Sequence, residues 1–326
     1  MTILLTGIHG FVGSNLIAAL KANHTIYGLD IISPEKEGII KTYKWDELDK
    51  LPEIDVIIHL AGKAHDTKNK SEAKEYFDIN TGLTQKIFDF FLQSKAKQFI
   101  FFSSVKAAAD KVEGDCLTEE VVPRPIGPYG ESKIAAEKYI MAKGTGQKVQ
   151  EESIFRPSSF AFYPKSVYIF RPCMIHGPGN KGNLNLLYQF VNKGIPYPLG
   201  AFENKRSFLN IGNLSYIIEQ FILQSPESGI YHLADDEPVS TNELIKLIAQ
   251  SKMKKERIWY WNKSLIKTIA RIGDVCKLPL NSDRLQKLTE NYVVSNHKMK
   301  RAIGVERLPV DTKEGLIQTF KTFTDT

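Results

Sequence analysis

The stretch TILLTGIHGFVGSNLIAAL, from Thr2 to Leu20, passes from a β-rich apolar run into three glycines and then into helix-type spacing. That order predicts a strand over Thr2 to Leu5, a tight turn through Gly7, Gly10 and Gly13, and a helix from Ser14. Glycines there let the backbone bend sharply and approach a pyrophosphate, whose charge the first helical amides then meet. The spacing is GxxGxxG and not GxGxxG, and a plain strand-to-helix turn is the competing reading. Asp30 tips the balance. It directly follows the next strand, Thr25 to Leu29, 23 positions after Gly7, where a carboxylate would accept hydrogen bonds from an adenosine ribose. A 2′-phosphate would be repelled there, so NAD is favoured over NADP.

Working outward, β-rich runs keep alternating with helical stretches, the signature of βαβ units in a parallel sheet. Further strands are predicted over Lys41 to Trp45, Val56 to Leu60, Phe99 to Ser103 and Val167 to Phe170. Runs such as VIIHL and QFIFF are continuously apolar, as strands covered on both faces must be. Helices are predicted over Ser71 to Ser94 and Gly130 to Lys143. The fold class is therefore α/β, a Rossmann-type doubly wound parallel sheet.

After Pro172 the texture changes to the Gly/Asn-rich loop HGPGNKGN, then helices over Leu184 to Val191 and Leu214 to Gln224 separated by the turn-rich IPYPLG. Ser240 with Glu243 offers a capping box ahead of another helix. We expect a dinucleotide-binding domain over 1–175, with a returning segment near 205–235, and a smaller C-terminal domain over 176–326 that is mainly substrate-binding. The segment from Gly144 to Ser166 reads as a long insertion.

Composition narrows the class further. The 326 residues, 42% hydrophobic and 25% charged, are those of a globular protein and exclude disorder or a collagen-like chain. Three cysteines without CxxC spacing predict neither a disulfide framework nor a Cys-based zinc site, and a reducing cytoplasm fits best. No apolar run approaches the roughly 18 residues of a membrane span, and no secretory leader is legible. His59 and His176 lack spaced partners, so no metal is expected. The net charge of +6 is local: between Ser251 and Arg301 stand 13 basic and 4 acidic residues. No zinc finger, RNP aromatic set or helix-turn-helix accompanies them, so no nucleic-acid partner is expected.

Two tyrosines carry a lysine four positions on, Tyr129 with Lys133 and Tyr139 with Lys143. Tyr129 follows the loop PRPIGP and opens its helix, whereas Tyr139 sits mid-helix. At i and i+4 an ammonium shares a face with the phenol and would depress its proton affinity from a pKa near 10. A phenolate nearer neutrality is a general base for a sugar hydroxyl. Ser104, at the end of FIFFSS, could donate to the same hydroxyl.

Together with the glycine loop, the ordered motifs HLAG (His59 to Gly62), Asn80, Ser103-Ser104, PYGESK (Pro128 to Lys133) and RPCMIHGPG (Arg171 to Gly179) resemble the extended short-chain dehydrogenase/reductases, specifically the NAD-dependent epimerase/dehydratase family acting on nucleotide sugars. The resemblance covers nearly the whole chain. It implies that Gly7, Gly10, Phe11, Val12, Gly13 and Asp30 line the dinucleotide, with Asp46 near adenine and Leu60, Ala61, Gly62 and Asn80 shaping the middle of the site. It implies a catalytic set of Ser104, Tyr129 and Lys133, with Ser104 also touching substrate and with Tyr129 and Lys133 also at the cofactor, Lys133 on the nicotinamide ribose. Asn183 and Arg206 match positions that bind the nucleotide diphosphate, with Arg171 and Arg284 as further candidates. A homodimer through the helices at Gly82 to Ser94 and Gly130 to Lys143 is also implied.

Departures from the pattern sharpen the reaction. The usual VYG after the serine is Ala107-Ala108-Ala109, and Lys106 stands where sugar dehydratases of this family place a catalytic Glu, so a 4,6-dehydratase is not expected. The reading is a UDP-sugar 4-epimerase acting on a UDP-linked hexose or N-acetylhexosamine through a 4-keto intermediate. The alternative, to which SSVK, NKGN, KGIPYPLG and NKRS point, is an NAD(P)H-dependent 4-ketoreductase of a UDP-4-keto-6-deoxy-amino sugar. A non-enzymatic dinucleotide-binding protein is the third reading, against which the intact Ser104, Tyr129 and Lys133 speak. One segment stays outside this scheme. Lys263 to Lys277 is amphipathic and follows Trp259-Tyr260-Trp261; it reads as a helix packed on its own domain, with peripheral contact at an anionic membrane as the second reading.

Overall fold

The alternation of apolar strands and amphipathic helices builds a seven-stranded sheet in the order β3-β2-β1-β4-β5-β6-β9, every pairing of which is parallel. The computed structural model describes residues 1–32, 36–63, 72–145, 164–180, 182–276 and 281–323. The strands are β1 (Thr2–Thr6), β2 (Thr25–Leu29), β3 (Thr42–Tyr43), β4 (Val56–His59), β5 (Gln98–Phe102), β6 (Ser166–Pro172) and β9 (Gly229–Leu233), with β7 (Met174–His176) and β8 (Phe208–Asn210) forming a separate parallel pair. All residues of β4, β5 and β9 are buried, because helices cover both faces.

On one face lie α1 (Phe11–Leu20), α7 (Ile211–Gln224) and α11 (His297–Ile303), packing Leu16, Ile17, Leu214, Phe221 and Met299 against Ile3, Ile58 and Phe170. On the other lie α3 (Leu83–Gln93) and α5 (Pro128–Thr145), whose Ile87, Phe88, Phe91, Ile140 and Met141 meet Leu4, Ile57, Phe99 and Ile169.

A second group of helices gathers α6 (Asn183–Asn192), α8 (Thr241–Ser251) and α12 (Thr312–Lys321) around Tyr188, Leu244, Ile248 and Phe320. Beside it, α9 (Lys263–Cys276) and α10 (Ser282–Thr289) share a small cluster with Tyr197, Leu199 and Ile245. Ser240 caps α8 by accepting from the Glu243 amide at 3.0 Å, but the Glu243 carboxylate reaches Lys313 at 3.2 Å, so the expected capping box is half formed.

The helix expected over Ser71 to Ser94 is three pieces among its described residues: α2 (Ala73–Tyr76), a π-turn (Phe77–Gly82) and α3. The turn carries Asn80, and such bulges often mark functional positions. Strands β7 and β8 and helices α4 (Val105–Ala108) and α10 to α12, short or polar, were not foreseen from sequence, and neither was β9, whose five residues GIYHL are all buried. The expected insertion lies mostly at 146–163, outside the described residues, and so does Lys277.

The strand order reverses between β1 and β4, whose neighbours lead away in opposite directions. A crevice therefore opens beyond the carboxyl ends of these strands, the place where such sheets bind ligands.

Candidate active site

The loop after β1 and the loop after β4 meet in that crevice. Gly7 is left-handed (φ 70°), and a Cβ there would stand 2.9 Å from the Ala61 nitrogen. A Cβ on Gly13 would stand 2.4 Å from the Gly7 oxygen, so α1 approaches the turn as only glycine allows. Gly10 is the N-cap of α1, with no side-chain cap and no acid in the first turn, which leaves the amides at Phe11 and Val12 suited to an anion. Thr6 Oγ1 accepts from the Leu60 and Ala61 amides at 3.1 and 2.9 Å and fixes the second loop. Asp30, at the end of β2, accepts from the amides of Ile31 (2.8 Å) and His9 (3.3 Å). The exposed Asp46 follows β3. These residues form a cradle fit for a dinucleotide. Sequence reasoning missed Lys36, whose ammonium donates to the Ile8 carbonyl and, at 2.7 Å, to Ser14 Oγ. Burial lowers its pKa while Asp30 opposes the shift.

The reacting corner lies where β5 gives way to α4 and α5 begins. Ser104 caps α4, its Oγ accepting from the Lys106 amide at 3.2 Å. The phenol of Tyr129, second residue of α5, hydrogen-bonds Ser104. Its ring stands edge-on to Tyr76 with centroids 6.3 Å apart. One turn on, the buried Lys133 donates to the Phe102 carbonyl at 2.8 Å, its Nζ 5.2 Å from the centre of the Phe101 ring. A Cβ on Gly62 would lie 2.8 Å from Asn80 Oδ1 and 3.1 Å from Lys133 Nζ, so the cradle and the corner share one wall.

The protonation pattern corrects one expectation. The Tyr129 phenol is pushed up by burial, with the Ser104 hydrogen bond opposing, instead of being depressed by Lys133. The reason is geometric, since the ammonium is committed to the Phe102 carbonyl. Lys133 itself is lowered to about 8 by burial, against the pull of Glu137. A buried lysine of lowered proton affinity one helical turn from a buried phenol marks this corner as a candidate site of proton chemistry.

The family of models described as NAD dependent epimerase/dehydratase family matches residues 3–233, from β1 to the end of β9. The chain belongs to that family. It is an enzyme of the NAD-dependent epimerase, dehydratase and reductase kind, and NAD is its cofactor. It is similar to a UDP-glucose 4-epimerase of Vibrio cholerae, 29% identical over 99% of this chain and 95% of the relative. An N-acetyl-alpha-D-glucosaminyl-diphospho-ditrans,octacis-undecaprenol 4-epimerase of Escherichia coli O157:H7 is 27% identical over 92% of this chain and 84% of its own. In fold, the crystal structure of a UDP-glucose 4-epimerase with UDP-glucose from Thermotoga maritima superposes with a TM-score of 0.72 at 18% identity, covering 99% of this chain and 98% of that one.

The remaining candidates of this family member separate. Arg171 is fully buried on β6, where its guanidinium grips Glu137 of α5: Nε stands 3.0 Å from Oε1 and Nη2 2.5 Å from Oε2. With no exposed surface it cannot reach a substrate phosphate, and its assignment to substrate is corrected to an internal brace. Asn80 is also buried, accepting from the Lys63 amide (2.7 Å) and donating to Ser132 Oγ (2.9 Å), so it joins the β4 loop to α5. Asn183 opens α6, exposed, and Arg284 lies exposed on α10. Arg206 donates to the Lys287 carbonyl and stands 3.7 Å from Glu290, partly open.

The control pair Tyr139 and Lys143 is turned to Asp89, the phenol at 2.8 Å and the ammonium at 3.2 Å, away from the corner. His59 is buried between Thr6 Oγ1 (2.8 Å) and Thr84 Oγ1 (3.0 Å), and burial lowers it to about 3. It is a neutral packing residue; His176 is also buried, its Nδ1 2.9 Å from Thr319 Oγ1 and its Nε2 3.5 Å from Asp235. Lys106 pairs with Asp110 at 2.8 Å and lies 4.8 Å from the centre of the Tyr292 ring.

Sequence reasoning missed Tyr292 entirely. Its hydroxyl donates to the Ala109 carbonyl at 2.7 Å while its backbone pairs with Lys205 and Ser207 on either side of Arg206. One residue thus ties the α4 loop to the Arg206 segment. Glu137 had a legible signal: a carboxylate at i+4 from Lys133, matched by a lone arginine inside the apolar run YIFRP.

Proposed function

We propose that the protein is a UDP-sugar 4-epimerase acting on a UDP-linked hexose or N-acetylhexosamine. The observation that carries it is the Ser104–Tyr129 hydrogen bond set one turn from buried Lys133, on the wall shared with the glycine cradle. Bound NAD supplies the hydride acceptor and donor that make and unmake a 4-keto sugar. Ser104 holds the sugar 4-hydroxyl against Tyr129, which takes its proton and later returns it, and Lys133 stabilises the phenolate once a substrate is seated. Gly7, Gly10, Phe11, Val12, Gly13, Asp30 and Asp46 hold the dinucleotide, with Leu60, Ala61 and Gly62 as its inner wall. Residues 176–326 are mainly the substrate side, with a part near 205–235 returning to the first domain; Asn183, Arg284 and, at the start of the returning part, Arg206 are assigned to the diphosphate, where an arginine fork matches pairs of phosphate oxygens. Lys106, paired to Asp110, offers no carboxylate for dehydration.

The test is redox balance. Purified protein is incubated with UDP-glucose and UDP-N-acetylglucosamine without added cofactor, and separately with a UDP-4-keto-6-deoxy-amino sugar plus NADH or NADPH. Appearance of the C4 epimer in the first mixture supports the proposal. Stoichiometric oxidation of the reduced cofactor in the second, with no epimer in the first, would overturn it in favour of the ketoreductase.

A further inference from the structure

The apolar arc of α9 is wider than the protein covers. At 100° per residue, Ile266, Ile269, Ala270 and Gly273 fall on one side of the helix, and Ile266 and Ala270 pack with Tyr197, Leu199, Ile245 and Leu285. Leu265, Ile272 and Val275 continue the same arc around the helix, yet they remain 52%, 53% and 84% exposed. The helix starts directly after a second apolar surface. Asn262 caps it, its side-chain oxygen accepting from the Ser264 amide at 2.8 Å, and just before Asn262 the rings of Trp259 and Trp261 stack at 6.0 Å, the two residues 49% and 41% exposed. Tyr260 between them is 67% exposed.

Such a surface on a soluble domain calls for an occupant. Its margin says which. Lys263, Lys267 and Arg271 line the polar edge of α9, and Lys254, Lys255 and Arg257 precede the tryptophans, all exposed, against Glu256 and Asp274 alone over the same span. A second copy of this chain laid on the face would bring these cations against their own images. An anionic lipid surface matches them instead, with the long basic side chains reaching headgroups while Trp, Tyr and the aliphatic stripe enter the acyl boundary. No helix among the described residues is long and apolar enough to cross a membrane, so the contact is peripheral.

We propose that the Trp259–Trp261 pair and the uncovered stripe of α9 dock the protein on an anionic phospholipid surface. This holds whichever sugar the active site processes, and none of these residues belongs to the catalytic corner or the dinucleotide cradle.

The full chain is sedimented with vesicles of phosphatidylcholine alone and of phosphatidylcholine and phosphatidylglycerol in equal parts, at low and high salt. Binding is expected only to the anionic vesicles and is expected to weaken with salt. The triple change Lys263→Glu, Lys267→Glu, Arg271→Glu should weaken it by about 100-fold. Leu265→Gln with Ile272→Gln should weaken it by about 10-fold or more, with thermal melting and NAD affinity unchanged in both variants. Absence of binding to the anionic vesicles, or binding that neither variant alters, overturns the proposal. Concentration-dependent dimerisation without lipid, lost in Leu265→Gln with Ile272→Gln, would overturn it in favour of a second copy of the chain.

Discussion

The sheet half and the α9–α10 corner are built in contrasting ways. In the sheet half, buried polar side chains are cross-braced between elements: His59 between Thr6 and Thr84, Asn80 between Lys63 and Ser132, Glu137 between Arg171 and Ser103. Each brace runs between elements distant in sequence, and together they fix Lys133 and the loop beside it. In the α9–α10 corner, the chain is held by isolated bridges, Tyr197 with Ile258 and Leu199 with Tyr260, over a small apolar cluster. Buried polar networks specify one geometry because an unpaired member is costly, whereas a lightly braced region tolerates change. The contrast sets a braced corner around Ser104, Tyr129 and Lys133 against a lightly braced one at α9 and α10, with Tyr292 and Arg206 as the joint between them.

The sharpest way to break this contrast is at the base. Tyr129→Phe should leave folding and NAD affinity intact while lowering turnover by about 10²- to 10⁴-fold, with Tyr139→Phe as the control on steady-state rates. Equal losses in the two would remove Tyr129 from its role.

Next comes the brace beneath it. Glu137→Gln strands a buried guanidinium and should cost about 3–5 kcal/mol in denaturant unfolding. Because Glu137 supports the charged form of Lys133, any folded fraction should show the alkaline limb of its rate profile moved to lower pH. A variant of wild-type stability would show the network to be ornamental.

Acid should act on the same half. His59 and His232 are each lowered by burial to about 3 from an ordinary 6.5. Below about 6.5 the unfolded chain takes up protons that the fold refuses. Stability is therefore lost as pH falls from about 6.5 toward 3, by up to about 1.4 kcal/mol per pH unit for each histidine. Thermal melts between pH 7 and pH 5 should show the decline, and His59→Gln should flatten it.

At the joint, Arg206→Ala should raise the nucleotide-sugar KM by about 10- to 100-fold while NAD affinity holds, as titration with UDP would report directly. An unchanged UDP affinity would return Arg206 to its contacts with Lys287 and Glu290 alone.

The smallest effect belongs to the lightly braced corner: Leu265→Gln with Ile272→Gln, both exposed, should shift unfolding free energy by no more than about 0.5 kcal/mol per site in the absence of lipid. A large loss would mean the stripe packs internally after all.

The sequence by itself determined the parallel α/β sheet class, the first six strands of the sheet and the glycine turn that follows the first of them. Short apolar runs bounded by turn residues fit doubly covered strands, three glycines at GxxGxxG spacing fit a tight turn, and Tyr129 opens its helix while Tyr139 does not, all local properties; that a Cβ on Gly7 would strike Ala61 is tertiary. It named Ser104, Tyr129 and Lys133, which the fold brings to one corner, yet it misjudged the direction of the phenol's shift. That direction depends on which acceptor a lysine meets, and the Phe102 carbonyl comes from another element. Arg171 failed for the same reason, since a buried arginine looks like a phosphate ligand until its partner on α5 is seen. Tyr292 left no trace at all, because its importance lies in joining Ala109 to Lys205 and Ser207 across long sequence separations. Spacing along one chain reports which residues share a strand or helix face; only the tertiary structure decides which faces meet, and with them every brace, every proton shift and every surface left uncovered.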